Sequence, residues 1–141
     1  MDIAFANELL NNLPSDVYNP VVFVDKTNRV IDEILDKFIV RIKGKMLVVA
    51  ELKDLDDVRN VESLFGNYFN KSSVLIIRNI HQYETDAEFA DKFVWIYEMA
   101  KNNQIQLILT TNRKLQDLKF EGRLYARLQS GIVADIDNVM E

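Results

Sequence analysis

The chain has 141 residues, of which 48% are hydrophobic and 28% are charged, so it is long enough to bury a sizeable core. Its 17 Lys and Arg residues against 22 Asp and Glu residues give a net charge of −5, which argues against non-specific binding to nucleic acids. The absence of cysteine excludes disulfides, thiolate chemistry and cysteine-ligated zinc. The sequence has no signal-peptide start and no apolar run long enough to cross a bilayer, which favours a cytoplasmic protein.

The first predicted element is a helix over residues 3–13 that ends before Pro14, within a lead-in of residues 1–18. Five short apolar runs follow. They are rich in β-branched residues and alternate little with polar ones, which is typical of strands buried on both faces. The runs are VVFV (21–24), MLVVAEL (46–52), SVLIIRNI (73–80), IQLILTT (105–111) and GIVADI (131–136).

Helical patterns fill the intervals between these runs, because apolar residues recur there at helix spacing. Strand and helix therefore alternate, and this order predicts an α/β fold: a three-layer sandwich with a five-stranded parallel sheet. We expect one domain over residues 1–141. Ligands of such sheets bind at the carboxyl ends of the strands. The predicted helices and turns cover residues 30–42, 52–68, 89–100, 115–120 and 123–128.

The end of the first strand raises the question of a nucleotide site, because Lys26-Thr27 follows it at once. A Lys-Thr pair ends the phosphate-binding loop G-x-x-x-x-G-K-[ST], whose glycines let backbone N–H groups point at the phosphates. Here only Asp25 precedes the pair; one residue cannot wrap a triphosphate, and its carboxylate would repel one. The simpler interpretation is that Lys26 is a surface lysine and that Thr27 or Asn28 caps the helix.

The end of the third strand also argues against a working nucleotide site. A nucleotide hydrolase carries carboxylates there to hold its metal ion, whereas this chain has Arg78 and Asn79. An arginine at that position would oppose magnesium. Two separate departures at two strand ends favour a fold related to ATPases that does not hydrolyse ATP.

Four motifs occur together in the order and spacing of one known family. They are NPVVFV (19–24), VLIIRNI (74–80), LILTTNR (107–113) and GRLYARLQSGIVADI (122–136). Over residues 19–137 the chain resembles the AAA+ core of the DnaA family of bacterial replication initiators and their Hda-like regulators. The resemblance implies the P-loop NTPase fold. It also implies that the helical lid and the DNA-binding domain of the family are absent.

The resemblance also assigns positions to the two strand ends. Lys26 and Thr27 stand where the family has its Walker A lysine and threonine, with most of the glycine loop missing. Arg78 and Asn79 replace the paired Walker B acids. We therefore expect no bound cofactor, no metal ion and no ATPase activity, with Lys26 and Thr27 a vestigial nucleotide site.

Three further residues gain a role from the resemblance. Asn112 stands at the sensor-1 position, and Arg127 stands at the arginine-finger position with Arg123 one turn earlier. An arginine finger stabilises charge on a nucleotide held by a neighbouring subunit, so Arg127 and Arg123 become candidate partner contacts. The alternative is that these arginines pair with acids of their own chain, such as Glu121 or Asp117.

Two single-copy residues are better explained by local structure. His81 is the only histidine, so it cannot form a two-histidine metal site, and a polar turn residue is the simpler interpretation than a general base. Trp95 falls off the apolar face formed by Phe89, Phe93 and Tyr97, and we expect it to be partly exposed.

The leading hypothesis is a non-catalytic DnaA-related protein that acts through protein contacts in chromosomal replication initiation or its regulation. Its partner would be DnaA or another AAA+ replication protein. One alternative is an atypical ATP-binding protein that uses Lys26 and Thr27. Another is a nucleic-acid-binding accessory that uses basic residues near the strand ends. Those residues are Lys71, Arg78, Arg113, Lys114 and Lys119.

Overall fold

A computed structural model describes residues 3–13, 18–27, 29–43, 49–52 and 74–136. The helices of this part of the chain are α1 (Ile3–Asn11), α2 (Arg29–Lys43), α3 (Ala87–Asn102) and α4 (Gly122–Leu128). The strands are β1 (Val21–Val24), β2 (Val49–Leu52), β3 (Val74–Ile77), β4 (Gln106–Thr111) and β5 (Ile132–Asp135). Short 3-10 turns cover Ile80–Tyr83 and Leu115–Asp117. Leu52, where the helix predicted over 52–68 was to begin, ends β2 instead; the rest of that helix and the basic residue Lys71 lie outside the described residues.

The five strands form one parallel sheet in the order β2-β3-β4-β1-β5. This confirms the predicted five-stranded α/β fold. Each strand lies inside its predicted run, and β1 matches its run fully. The order places the carboxyl ends of β3, β4 and β1 side by side.

Helices cover both faces of this sheet, and each face has its own apolar core. The face toward α3 and α4 carries Val22, Leu75, Ile77, Leu107 and Leu109. The face toward α1 and α2 carries Val21, Phe23, Val74, Ile76 and Ile108. This burial on both faces explains why the strand runs do not alternate with polar residues.

Helix α3 follows the predicted apolar pattern. Asp86 caps its start by accepting a hydrogen bond from the Phe89 backbone N–H at 2.9 Å. Phe93 and Tyr97 are buried as expected, and Trp95 is 37% exposed on the outer side. None of the helices in the described ranges is long and apolar enough to span a membrane.

The side chain of Asn19 and the backbone at Gly131 make the contacts that fix the start of β1. The Asn19 amide donates to the Ile105 carbonyl oxygen at 2.7 Å and accepts from the Leu107 N–H at 2.9 Å. Beside it, a Cβ on Gly131 would lie 2.0 Å from the Pro20 carbonyl oxygen. Neither contact could be predicted from sequence patterns, because both join segments that are far apart along the chain.

Candidate functional site

The candidate site lies at the carboxyl edge of the sheet. Asp25 follows β1, Arg78 follows β3, and Asn112 follows β4. Because these strands are neighbours in the order β3-β4-β1, the three strand ends that the sequence singled out meet at one edge.

Asp25 is almost fully buried, with 1% of its surface exposed. Its Oδ2 accepts a hydrogen bond from the Ile31 N–H in the first turn of α2, at 2.9 Å. Its Oδ1 accepts from both the backbone N–H and the hydroxyl of Thr27, each at 3.2 Å. The carboxylate therefore satisfies N–H groups at the start of α2.

The interpretation of Asp25 as a residue that repels phosphate missed this capping role. The Thr27 hydroxyl does accept from the Arg29 N–H, at 3.3 Å, while Asn28 lies outside the described residues. The positive end of a helix dipole is where phosphates bind in nucleotide-binding folds. Here the chain supplies its own anion at that position. Lys26 and Thr27 are both exposed.

Arg78 joins the third strand to α2. Its Nη1 lies 2.9 Å from Asp32 Oδ1 and its Nη2 lies 2.9 Å from Asp36 Oδ1. The arginine side chain is only 15% exposed, whereas Asp32 is 42% and Asp36 is 70% exposed, so solvent screens the pair with Asp36 more than the pair with Asp32. The sequence identified Arg78 but not its partners. The available signal was the pair of aspartates one turn apart on the predicted helix.

Asn79 turns the chain away from β3. Its backbone is left-handed, with φ 59° and ψ 47°, a conformation that asparagine tolerates better than most residues. Its N–H donates to the Thr110 hydroxyl at 2.9 Å, which ties the end of β3 to β4. In the structure Asn79 therefore forms the turn at the strand end.

His81 and Asn112 connect the ends of β3 and β4. The Asn112 N–H donates to His81 Nδ1 at 3.1 Å, so the ring must be neutral at this nitrogen. Burial lowers the pKa of His81 from its ordinary value, the charge of Arg113 lowers it further, and Glu84 offsets part of the effect. Within the described chain, Asn112 Oδ1 is buried without a hydrogen-bond partner.

The lowered pKa of His81 predicts a pH dependence of stability. The unfolded chain binds a proton at about pH 6.5, whereas the folded chain does so only at lower pH. The stability that neutral His81 confers is therefore complete above about pH 6.5 and is lost as the pH falls through the folded-state pKa. Urea unfolding of wild type and His81→Gln should show the wild type losing more stability below about pH 6.5. Parallel pH profiles for the two proteins would contradict this expectation.

A groove of about 310 Å³ opens at the carboxyl edge of the sheet, beside Asn112. Asp25 and Arg78 are not among the described residues that line it. Its volume is at the lower end of the range for small-molecule sites, about 300–1,000 Å³. The lining residues are Val24, Lys26, Asn112, Arg113, Lys114, Asp117 and Asp135.

Arg127 lies away from this groove, against α3. Its Nε and Nη2 donate to Glu98 Oε1 at 3.3 and 3.1 Å, and its Nη1 donates to the Arg123 carbonyl oxygen at 3.2 Å. The guanidinium carbon is 5.7 Å from the centroid of the Tyr97 ring. The side chain keeps 30% of its surface exposed. Arg127 is therefore held at the surface in a defined orientation.

Arg123 is paired in the same region. Its Nε donates to Glu121 at 2.7 Å and its Nη2 donates to Asp91 at 2.9 Å, and both acids raise the pKa of Arg123. Glu121 was named from the sequence as a possible partner of the two arginines. The predicted pairing with Asp117 is wrong. The acids beside Arg123 and Arg127 are Glu121 and two α3 residues, Asp91 and Glu98. Spacing along α4 could not reveal residues of another helix.

The described residues include no group of three or more His, Asp or Glu side chains placed to hold a metal ion. The residues named from the sequence thus fall into two places. Lys26, Thr27, Arg78, Asn79 and Asn112 lie at the carboxyl edge of the sheet, and Arg123 and Arg127 lie on α4.

Comparison with known proteins gives one family and a common fold. A family model described as "Bacterial DnaA ATPase domain" matches residues 3–135. No curated protein sequence matches the chain significantly. Similar structures include the AMPPCP-bound DnaA from Aquifex aeolicus, which is 24% identical over 94% of this chain and 44% of that chain, with a TM-score of 0.73.

Two further structures show the same fold. One is the replication initiator DnaA bound to AMPPCP and single-stranded DNA: 22% identity, 95% of this chain, 45% of that chain and a TM-score of 0.72. The other is domain III of the Thermotoga maritima replication initiation protein DnaA: 16% identity, 94% of this chain, 61% of that chain and a TM-score of 0.69. The chain thus spans about half the length of these relatives.

Proposed function

Because this chain belongs to the bacterial DnaA ATPase-domain family, we propose that it is a replication-initiation AAA+ domain that binds no nucleotide itself and acts through contacts with an ATP-bound partner. The family is one of ATPase domains, and the chain has their fold. The partner would be DnaA or another AAA+ replication protein. Such a role implies a cytoplasmic location.

One observation carries the first half of this proposal: the buried carboxylate of Asp25 occupies the start of α2. A nucleotide phosphate at this helix end would have to displace that carboxylate or approach it closely, and like charges in a buried place repel strongly. Displacement would also leave the Ile31 N–H without its acceptor. A triphosphate would therefore bind here at a cost that a glycine loop avoids.

Arg78 supports the same conclusion from the neighbouring strand. Where a hydrolase needs a carboxylate to hold magnesium, this chain has a guanidinium pairing with Asp32 and Asp36. Both aspartates therefore already pair with a cation of their own chain. A metal ion bound by these aspartates would have to compete with the Arg78 guanidinium, which lies 2.9 Å from one oxygen of each carboxylate.

Nucleotide binding can be tested by thermal unfolding of the purified chain. With Mg-ATP or Mg-ADP at about 1 mM, we expect no change in Tm. A site with a Kd of about 10 μM would add about 2.7 kcal/mol at that concentration and raise Tm by several degrees. Such a rise would overturn the proposal and favour the atypical ATP-binding protein.

The second half of the proposal concerns Arg127, which remains partly exposed on α4. The purified chain should bind the DnaA initiator of the same cell, and Arg127→Ala should weaken the complex by about tenfold. Arg41→Ala is a matched control, because Arg41 also stacks on a ring, 5.6 Å from Phe38, but lies on α2. Equal affinity for wild type and Arg127→Ala would remove Arg127 from the contact.

The groove at the sheet edge favours a second candidate, a nucleic-acid-binding accessory. Lys26, Arg113 and Lys114 line it and could contact a phosphate backbone. Binding of a single-stranded oligonucleotide that falls steeply with salt and is weakened by Lys114→Ala would support this function. Binding that Lys114→Ala leaves unchanged would count against it.

A further inference from the structure

Two side chains from the turn after β3 hold the stretch of chain between β4 and α4. The Asn112 N–H at the start of this stretch donates to His81 Nδ1 at 3.1 Å. Glu84 holds the stretch at two further points, since its Oε1 accepts from Arg113 Nη2 at 2.7 Å and its Oε2 accepts from the Lys119 N–H at 2.9 Å. We refer to His81 and Glu84 together as the clasp.

The clasp acts on the two ends of the stretch rather than on its middle. Leu115 and Leu118, in the middle, are 2% and 6% exposed and belong to the apolar core beneath α3 and α4. Residues 112–114 line the groove at the sheet edge. Residues 119–121 line a second cavity, of about 220 Å³, and lead directly into α4. The clasp therefore connects the groove with the start of α4.

One atom of the clasp changes its role when it binds a proton. His81 Nδ1 accepts a hydrogen bond only while it is unprotonated, and a proton there would place two N–H donors face to face. The charged groups of the described residues that act on the ring are Arg113, which would repel an imidazolium, and Glu84, which would attract it. Hydrogen bonds from Arg113 and from the Lys119 N–H lower the pKa of Glu84. This carboxylate is therefore still ionised when the histidine begins to take up a proton.

We propose that the clasp is a pH-sensitive switch that opens when His81 takes up a proton. The Asn112 N–H is then released at the groove, and the imidazolium competes with Arg113 for the carboxylate of Glu84. Because the same carboxylate also holds the Lys119 N–H, the chain at the start of α4 responds as well. The inference goes beyond the proposed function, since it concerns the free chain and needs neither a nucleotide nor a partner.

The test is an NMR titration of the isotope-labelled purified chain between about pH 7.5 and about pH 5.5. The backbone amide signals of Asn112, Lys119 and Arg123, which lies in the first turn of α4, should move together with the signals of the imidazole ring. Their common midpoint should lie below about pH 6.5, because burial and Arg113 lower the pKa of the histidine. The amide of Val22, which is fully buried in β1, should stay in place and so excludes global unfolding.

Charge-changing variants make the expectation specific to the clasp. Arg113→Gln removes a charge that lowers the pKa of His81, so the midpoint should move to higher pH. Glu84→Gln removes a charge that raises this pKa, so the midpoint should move to lower pH and the Lys119 amide should no longer follow it. Lys37→Gln removes a charge from α2, where Lys37 is 77% exposed, and should leave the midpoint unchanged.

The outcomes bear on the switch and not on the proposed function, which is tested with nucleotide and partner. His81→Gln should abolish the transition, and the same transition in this variant as in wild type would show that another group causes it. If the Asn112 amide follows the titration but those of Lys119 and Arg123 do not, the proton acts only locally and the switch is wrong. A wild-type titration in which none of the three amides moves would overturn the inference without the use of any variant.

Discussion

Replacing Asp25 with alanine is expected to lower the free energy of unfolding by about 2–4 kcal/mol. The change removes the acceptor of the Ile31 N–H and of two groups of Thr27. Because Asp25 is 1% exposed, water cannot easily replace the lost carboxylate. Urea unfolding at pH 7.5, followed by circular dichroism, measures the loss.

The matched variant is Asp25→Asn, which keeps the size of the side chain and one acceptor oxygen. We expect it to lie between wild type and Asp25→Ala in stability. The Thr27→Ala variant should cost less than Asp25→Ala, since Asp25 still accepts from the Ile31 N–H in that protein. An Asp25→Ala protein as stable as wild type would show that the carboxylate does not hold the start of α2.

Gly131→Ala is the second substitution with a large expected effect. A Cβ there would lie 2.0 Å from the Pro20 carbonyl oxygen and 2.8 Å from the Asn19 carbonyl carbon. These are backbone atoms, and Pro20 O also accepts from the Ile132 N–H at 3.0 Å, so they cannot move without breaking the contact between the segments before β1 and β5. We expect a loss of about 3 kcal/mol or failure to fold.

Gly122→Ala is the control for this substitution. A Cβ at Gly122 meets no atom within 4 Å, and alanine is the better residue in a helix. Its Tm should therefore equal or exceed that of wild type, while the Tm of Gly131→Ala falls by several degrees or more. If the two variants have the same Tm, the close approach at Gly131 is not a constraint on the fold.

The strands could be predicted from the sequence because burial on both faces leaves a clear mark on composition. The residues at which the strands end were predicted less accurately. The third run was predicted to continue over Arg78, Asn79 and Ile80, but β3 ends at Ile77. The reason is the left-handed backbone of Asn79, which starts a 3-10 turn. An apolar run does not reveal such a turn, since Ile80 is buried whether it lies in a strand or just after one.

The candidate site was predictable in its position and not in its contacts. The rule for parallel sheets brought Lys26, Arg78 and Asn112 to one edge. The pairing of Arg78 with Asp32 and Asp36 joins residues more than 40 positions apart, and pattern analysis of one sequence cannot specify it. The same holds for Arg127, which contacts Glu98 on another helix.

The capped start of α2 has a consequence for how the protein would respond to the cell. A nucleotide-driven switch changes shape because its two ligands interact differently with two conformations. Under the proposed function, a helix end already occupied by the side chain of Asp25 offers ATP and ADP no such difference. Under the proposed function, the energy state of the cell would reach this protein only through its partner.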